Sequence, residues 1–297
     1  MRLPLLCLFV AFLLGSAHAA EPFFKKNDVI ALVGGEDMVV ASEYGYLELL
    51  LTRALPDYHL RFRSLAWEGD TVYEQRRDLN FPTWEEQLDK IGATVVICQF
   101  GQMESLDGKE KLPEFIAAYE KLLERLRNGG KRRVVIVSPN CDAKSPYGAA
   151  IEQFTNAQSI LFVMPYRSFV ESYIIDGPMM RDGIHLNEDA HSAVAYELVR
   201  AIQRVKVLNA GSYKAGEEDK MAADNRLRQL IVAKNKLWFD YWRVQNWAFL
   251  AGDRTNQPSS RDWRDPSKRW FPAEREEFLP LIEAKEKEID ALAAKLK

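Results

Sequence analysis

The chain is short of several things that would each name a function class. It has 3 cysteines in 297 residues, too few for a disulfide scaffold. It has no excess of one charge: 40 Lys and Arg stand against 43 Asp and Glu. Removing residues 1–19, whose single charge is Arg2, leaves 39 basic against 43 acidic side chains, a net −4. With no basic surplus to release phosphate counterions, nucleic acid is not an expected partner. Metal-ligand spacing, a phosphate loop and a dinucleotide fingerprint are all missing, so no metal and no cofactor is expected; Gly34-Gly35 lacks the third glycine and the Lys-Ser/Thr that a nucleotide loop needs. Beyond residue 14 no apolar run approaches the roughly 20 residues that span a bilayer. What is present is ordinary globular stock: 47% hydrophobic, 28% charged, enough for one large domain or a domain with an appendage.

The first 19 residues read as an export signal. Met1-Arg2 gives a positive start, Leu3 to Leu14 an apolar run of about 12 residues, and Ala17-His18-Ala19 a small-x-small cleavage site. Cys7 lies inside the run rather than just behind a cleavage point, which argues against a lipid anchor. The mature chain is therefore expected to be secreted or periplasmic, with no stable membrane insertion after signal removal. Cys98 and Cys141 then remain, either paired in an oxidising compartment or as buried free thiols.

Apolar runs without alternation at 28–33, 94–100 and 134–137 read as strands covered on both faces, with 59–66 and 159–164 as two more extended stretches. Between them, Tyr44, Leu47, Leu50, Leu51 and Leu55 recur at helical spacing, as do Phe115, Tyr119, Leu122, Leu123 and Leu126. Asn128-Gly129 is poised to close the second of these in a left-handed cap. A last helix of this region runs from about Glu188 to Val205. Strands alternating with helices imply parallel strands and right-handed crossovers, hence one three-layer α/β/α domain over about 25–208. In such sheets the site lies beyond the carboxyl ends of the strands. That rule selects the segments starting at Gly34, Trp67, Gly101 and Ser138.

From 217 to 297 the character changes to a helical extension rich in tryptophan. Leu227, Leu230, Ile231, Leu237, Trp238, Tyr241 and Trp242 keep helical spacing; 253–266 is loop-like; Phe278, Ile282, Ile289, Leu292 and Leu296 trace a final helix. Five of the seven tryptophans (238, 242, 247, 263 and 270) fall here. They can pack the extension onto the α/β domain, as Trp at helical spacing more often does, or stack on sugar rings.

The chemistry-bearing block is Asp182-Gly183-Ile184-His185-Leu186-Asn187. An Asp three residues ahead of a His in a turn can orient the imidazole, which can then act as a base. A solvent-facing or helix-capping histidine is the bland alternative. The order of blocks adds weight: a glycine after the first strand, Trp67-Glu68-Gly69-Asp70-Thr71-Val72 after the second, Gly101-Gln102-Met103-Glu104 after the third, and Asp182 to Asn187 before the last helix. Over about 25–208 this resembles the SGNH hydrolase superfamily, the GDSL esterases and lipases. The stretch Lys234 to Asn246 resembles extensions on bacterial SGNH-like proteins.

The resemblance implies a flavodoxin-like sandwich with a five-stranded parallel sheet, plus C-terminal helices. It also implies hydrolysis of esters of small molecules or glycans, acetylated carbohydrate among them. Asp182 and His185 match the family's triad pair and Gly69 its oxyanion glycine. Two elements depart. Where Gly-Asp-Ser is expected the chain has Gly34-Gly35-Glu36, placing Glu36 at the nucleophile position, or Asp37 after a one-residue slip. Where Gly-x-Asn-Asp is expected, Met103 stands in place of the asparagine, leaving Gly101 and Gln102 as the binding candidates of that loop. Losing one oxyanion donor costs roughly 10²–10³ in turnover, and losing a triad nucleophile on the order of 10⁶. Ser42, Ser105 and Ser138 do not follow the first strand at the required position. The sequence thus leaves open an esterase with a carboxylate in place of serine (nucleophile or activator of water), a ligand-binding pseudoenzyme of the same fold, and an interaction protein with a vestigial cleft.

Overall fold

A computed structural model describes residues 22–297 except 78, 140–144, 166–178, 183, 184 and 204–215. The expected export signal at 1–19 and Cys141 lie outside the described residues. Five strands, β1 (Val29–Gly34), β2 (Arg61–Ser64), β3 (Val95–Gln99), β4 (Arg133–Val137) and β5 (Leu161–Val163), pair in parallel in the order β2-β1-β3-β4-β5. The apolar runs become these strands because both sheet faces are buried. Ile30 and Leu32 face one hydrophobic cluster with residues of helices α1 (Glu36–Tyr44), α2 (Tyr46–Ala54) and α6 (Glu188–Gln203). Ala31 and Val33 face another, with residues of α3 (Trp84–Lys90), α4 (Leu112–Arg127) and α5 (Pro146–Ala157). The expected three layers and five parallel strands are therefore present.

Chain order reverses between β1 and β3: β2 lies to one side of β1 and β3 to the other. That switch point opens a crevice beyond the carboxyl ends of β1 and β3. Gly34, registered against Gln99, is forced by the crowding there; a Cβ would sit 2.5 Å from the Gln99 carbonyl oxygen and 2.7 Å from Met38 Cγ.

The helix expected across Tyr44 to Leu55 is α2, and Tyr44 instead ends a separate helix, α1, that the spacing did not show. Gly45 separates α1 from α2 at φ 73°, and a Cβ there would press on Ile231 and Val232 at 3.1 and 3.2 Å, so the break lets the extension pack close. α4 ends as expected on Asn128, at φ 47°. Cys98 is a buried free thiol with Sγ 3.7 Å from the Tyr119 hydroxyl, and burial pushes it up to about 12.

The extension is built on α7 (Glu218–Trp242) and α10 (Phe278–Lys295), joined through short helices α8 (Ala248–Ala251) and α9 (Trp270–Glu276). It covers the outer side of β2. The Trp238 indole donates to the Ser64 carbonyl at 2.7 Å, Arg61 pairs with Asp290 at 2.8 Å, and Arg63 pairs with Glu286 at 2.6 Å. Lys234, wholly buried, meets Glu48 of α2 at 2.8 Å. Trp238 and Trp242 are core, whereas Trp263 stands 87% exposed. No helix among the described residues is long and apolar enough to cross a membrane.

Candidate active site

A cavity of about 280 Å³ opens at the switch point, lined by Gly35, Glu36, Asp37, Gly69, Asp70, Gln99, Phe100, Gly101, Gln102, Met103, Glu104, Leu106 and His185. Five of the six residues singled out from sequence line it; the sixth, Asp182, stands directly behind His185. Ser42, Ser105 and Ser138 do not line it. Ser105 spends its hydroxyl on the Gln102 carbonyl at 2.6 Å.

Glu36 is the first residue of α1, carried to the crevice by the Gly34-Gly35 turn. Its Oε2 lies 3.0 Å from His185 Nε2. The other ring nitrogen, Nδ1, lies 2.7 Å from Asp182 Oδ2, and the His185 backbone N–H donates to Asp182 Oδ1 at 2.8 Å. Asp182 thereby fixes both the backbone and the ring of His185. Arg181 donates to Glu36 Oε1, so the Glu36 carboxylate faces the Arg181 guanidinium and the His185 ring at the positive end of a helix. Between the two carboxylates weighed for the nucleophile position, Glu36 is the one in contact with the histidine.

Asp37 is only 6% exposed, receives a hydrogen bond from the Leu186 backbone, and keeps Oδ2 buried with no hydrogen-bond partner among the described residues. Burial is the largest influence on it and holds its carboxyl up to about 6, against the pull of His185. Behind α1, buried His191 is pushed down to about 4, chiefly by burial and then by Arg181.

The third block differs from its expected role. Glu104, which sequence reasoning passed over, turns inward and accepts from the Val72 N–H at 2.8 Å and the Gly101 N–H at 2.9 Å. It staples the loop after β2 to the loop after β3, and burial raises its pKa against those two donors. The Gly101 N–H is therefore occupied in this structure rather than offered to an oxyanion. Met103, half-exposed on the cavity wall, offers no donor at all. In the loop after β2, buried Asp70 takes a two-bond clamp from Arg77 at 2.7 and 2.8 Å, and Arg77 and Arg243 both pack on the Trp67 ring. Arg181, next to Asp182 in sequence, and the pair Asp70–Arg77 carried no spacing signal. Only the basic-acidic adjacency at 181–182 hinted at the first.

No family model matches the chain, and no curated protein matches it by sequence. Among solved structures it is similar to a gut microbial diltiazem-metabolizing enzyme, at 14% identity and a TM-score of 0.53, over 92% of this chain and 95% of that one. That coverage takes in the C-terminal helices as well as the sheet domain. It is also similar to a member of the lipolytic protein G-D-S-L family from Veillonella parvula, at 13% identity and a TM-score of 0.44 over 60% and 99% of the two chains. A third is the lipase/acylhydrolase from Enterococcus faecalis, at 16% and 0.44 over 61% and 98%. The chain has an SGNH-like α/β fold, a five-stranded parallel sheet flanked by helices with further C-terminal helices, and Glu36 and His185 line its switch-point cavity.

Proposed function

We propose that the chain is an exported ester hydrolase in which the Glu36 carboxylate, partnered by His185 and Asp182, activates water in place of a serine nucleophile. The observation that carries this is the unbroken relay Glu36–His185–Asp182, with 3.0 and 2.7 Å between partners at the mouth of one cavity. Glu36 has lone pairs beyond those used by His185 and Arg181, so it can accept a proton from a bound water. The resulting hydroxide attacks the ester carbonyl. Acting from its protonated form, His185 passes its Nε2 proton to the departing alkoxide, and the proton on Glu36 then returns to His185. The sum is ester plus water to acid plus alcohol, with every group restored.

The small cavity, with Phe100, Met103 and Leu106 on its wall, suits a short acyl group. The near-neutral chain suits a neutral substrate such as an acetylated glycan better than a polyanion. Export rests on the signal pattern at 1–19. A second reading, ligand binding without turnover, is favoured by one observation: Met103 and the engaged Gly101 N–H remove two expected oxyanion donors.

The mature chain, assayed on p-nitrophenyl acetate and acetylated xylan beside His185→Ala, separates the two. Hydrolysis that falls 10²–10⁴-fold in the variant is the expected result. No hydrolysis of either ester, with acetylated xylo-oligosaccharide still bound by both proteins, would establish the binding reading instead.

A further inference from the structure

Three of the five tryptophans in the extension are spent on packing. Trp238 and Trp242 are core, and the Trp247 indole donates to the Leu79 carbonyl at 2.9 Å while its ring meets Phe81 at 4.5 Å. Trp263 and Trp270 are left. Both line an open groove of about 620 Å³ that shares no residue with the switch-point cavity. That volume falls in the range of roughly 300–1,000 Å³ usual for ligand clefts.

Trp263 is 87% exposed, so its ring adds little to the fold. Its loop is nonetheless built. Arg261 and Arg269 form an antiparallel bridge, the Asp262 N–H donates to the Lys268 carbonyl at 2.9 Å, and the Lys268 N–H donates to the Asp265 carbonyl at 2.9 Å. The Trp270 indole donates to the Ser259 carbonyl at 2.6 Å, which fixes the second ring. A short, internally bonded loop thus holds a large apolar ring out in water, an arrangement that marks a contact surface more often than a packing accident.

The polar groups beside it point to what makes the contact. Asp262 and Arg264 pair with each other at 3.0 Å, whereas the side chains of Arg261 and Glu274 make no hydrogen bond or ion pair with the described residues. The groove therefore offers an indole face, a fork of donors and a carboxylate acceptor together. A purely apolar ligand would strand the two charged groups. A pyranose would not: its C–H face lies on the ring, and its hydroxyls, each donor and acceptor, satisfy both. Two arginines balance Asp262 and Glu274 along the wall, which suits a neutral sugar rather than a polyanion.

We propose that this groove is a carbohydrate-binding site, in which a neutral oligosaccharide segment stacks on Trp263 and is held at its hydroxyls by Arg261 and Glu274. The site needs no turnover and stands apart from the hydrolysis proposed above.

Isothermal titration of the mature chain with xylohexaose, cellohexaose and mannohexaose tests it, because none of these carries an ester and binding is read without catalysis. At least one should bind wild type. Trp263→Ala should weaken that binding about tenfold, and Arg261→Ala and Glu274→Ala should each weaken it as well. Leu281→Ala, which alters an exposed apolar residue outside the groove, should bind as wild type does. No binding of any of the three at millimolar concentration, or wild-type affinity in Trp263→Ala, would overturn the site. Binding lost in Glu36→Gln but kept in Trp263→Ala would also overturn it, by placing the glycan in the switch-point cavity. Sedimentation velocity covers the other occupant: a dimer that Trp263→Ala dissociates would make a second copy of the chain the partner of this face. A chain that hydrolyses no ester yet binds a hexasaccharide through Trp263 would uphold the groove and overturn only the hydrolysis.

Discussion

Glu36 and Asp37 are neighbours in sequence and opposites in environment, and the difference sets their chemistry. Glu36 projects from the first turn of α1 onto His185 and Arg181, whereas Asp37 is only 6% exposed and its Oδ2 is buried. Sequence placed Glu36 at the nucleophile position and Asp37 there only after a one-residue slip, and a slip of that kind at a strand-to-helix turn is decided by packing. Burial also sets a sign for stability. Asp37 has its pKa raised from 3.8 to about 6, so the stability it permits below pH 3.8 is lost as pH climbs through about 6, a cost of about 3 kcal/mol at pH 8. Asp37→Asn is accordingly expected to raise the urea midpoint more at pH 8 than at pH 5. His191 has the opposite sign: lowered from 6.5 to about 4, it withdraws stability as pH falls through that interval. Urea titrations of wild type should therefore show a stability that declines toward both ends, with the acid decline reduced in His191→Gln.

Among the elements, the strands were readable because each is a short apolar run walled by a turn, and the sheet buries both faces. Helices were readable where they are long and amphipathic, as α4 and α6 are. Two were missed. α3 has seven residues, too few to show a period, and its one sequence signal is the capping box between Thr83 and Glu86. α5 begins Pro146-Tyr147-Gly148 and buries only Tyr147, Ile151 and Thr155, a face too sparse to stand out. The extension gave its two long helices plainly, yet its docking depends on partners far away in sequence. Lys234 is buried against Glu48 across that joint. Lys234→Ala should destabilise by about 3–5 kcal/mol by stranding a buried carboxylate, and the double change with Glu48→Gln should recover part of that loss. Trp238→Ala, which also removes the donor to the Ser64 carbonyl, should cost about 3–5 kcal/mol. Denaturant titrations with unchanged slope would check both.

In the whole molecule the extension is a wall of the fold rather than a tethered module. It covers the edge strand β2, and Trp242 packs edge-on against Trp67, two residues from Gly69. A chain ending at 216 would expose that face and the edge strand with it, so it is expected to aggregate on expression. Fold and site position were legible because SGNH-type blocks sit at strand ends in a fixed order. The oxyanion side was not, since Glu104, Arg181 and the buried orientation of Asp37 follow from loop packing that no spacing encodes. The central claim is that Glu36, held by His185 and Asp182, does the work of the absent serine. Its most direct test is kcat/KM for p-nitrophenyl acetate in Glu36→Gln, a change that keeps the shape and removes the proton acceptor. A loss of 10²–10⁴-fold with the folded state intact is the predicted result; activity within a factor of about 3 of wild type would contradict it.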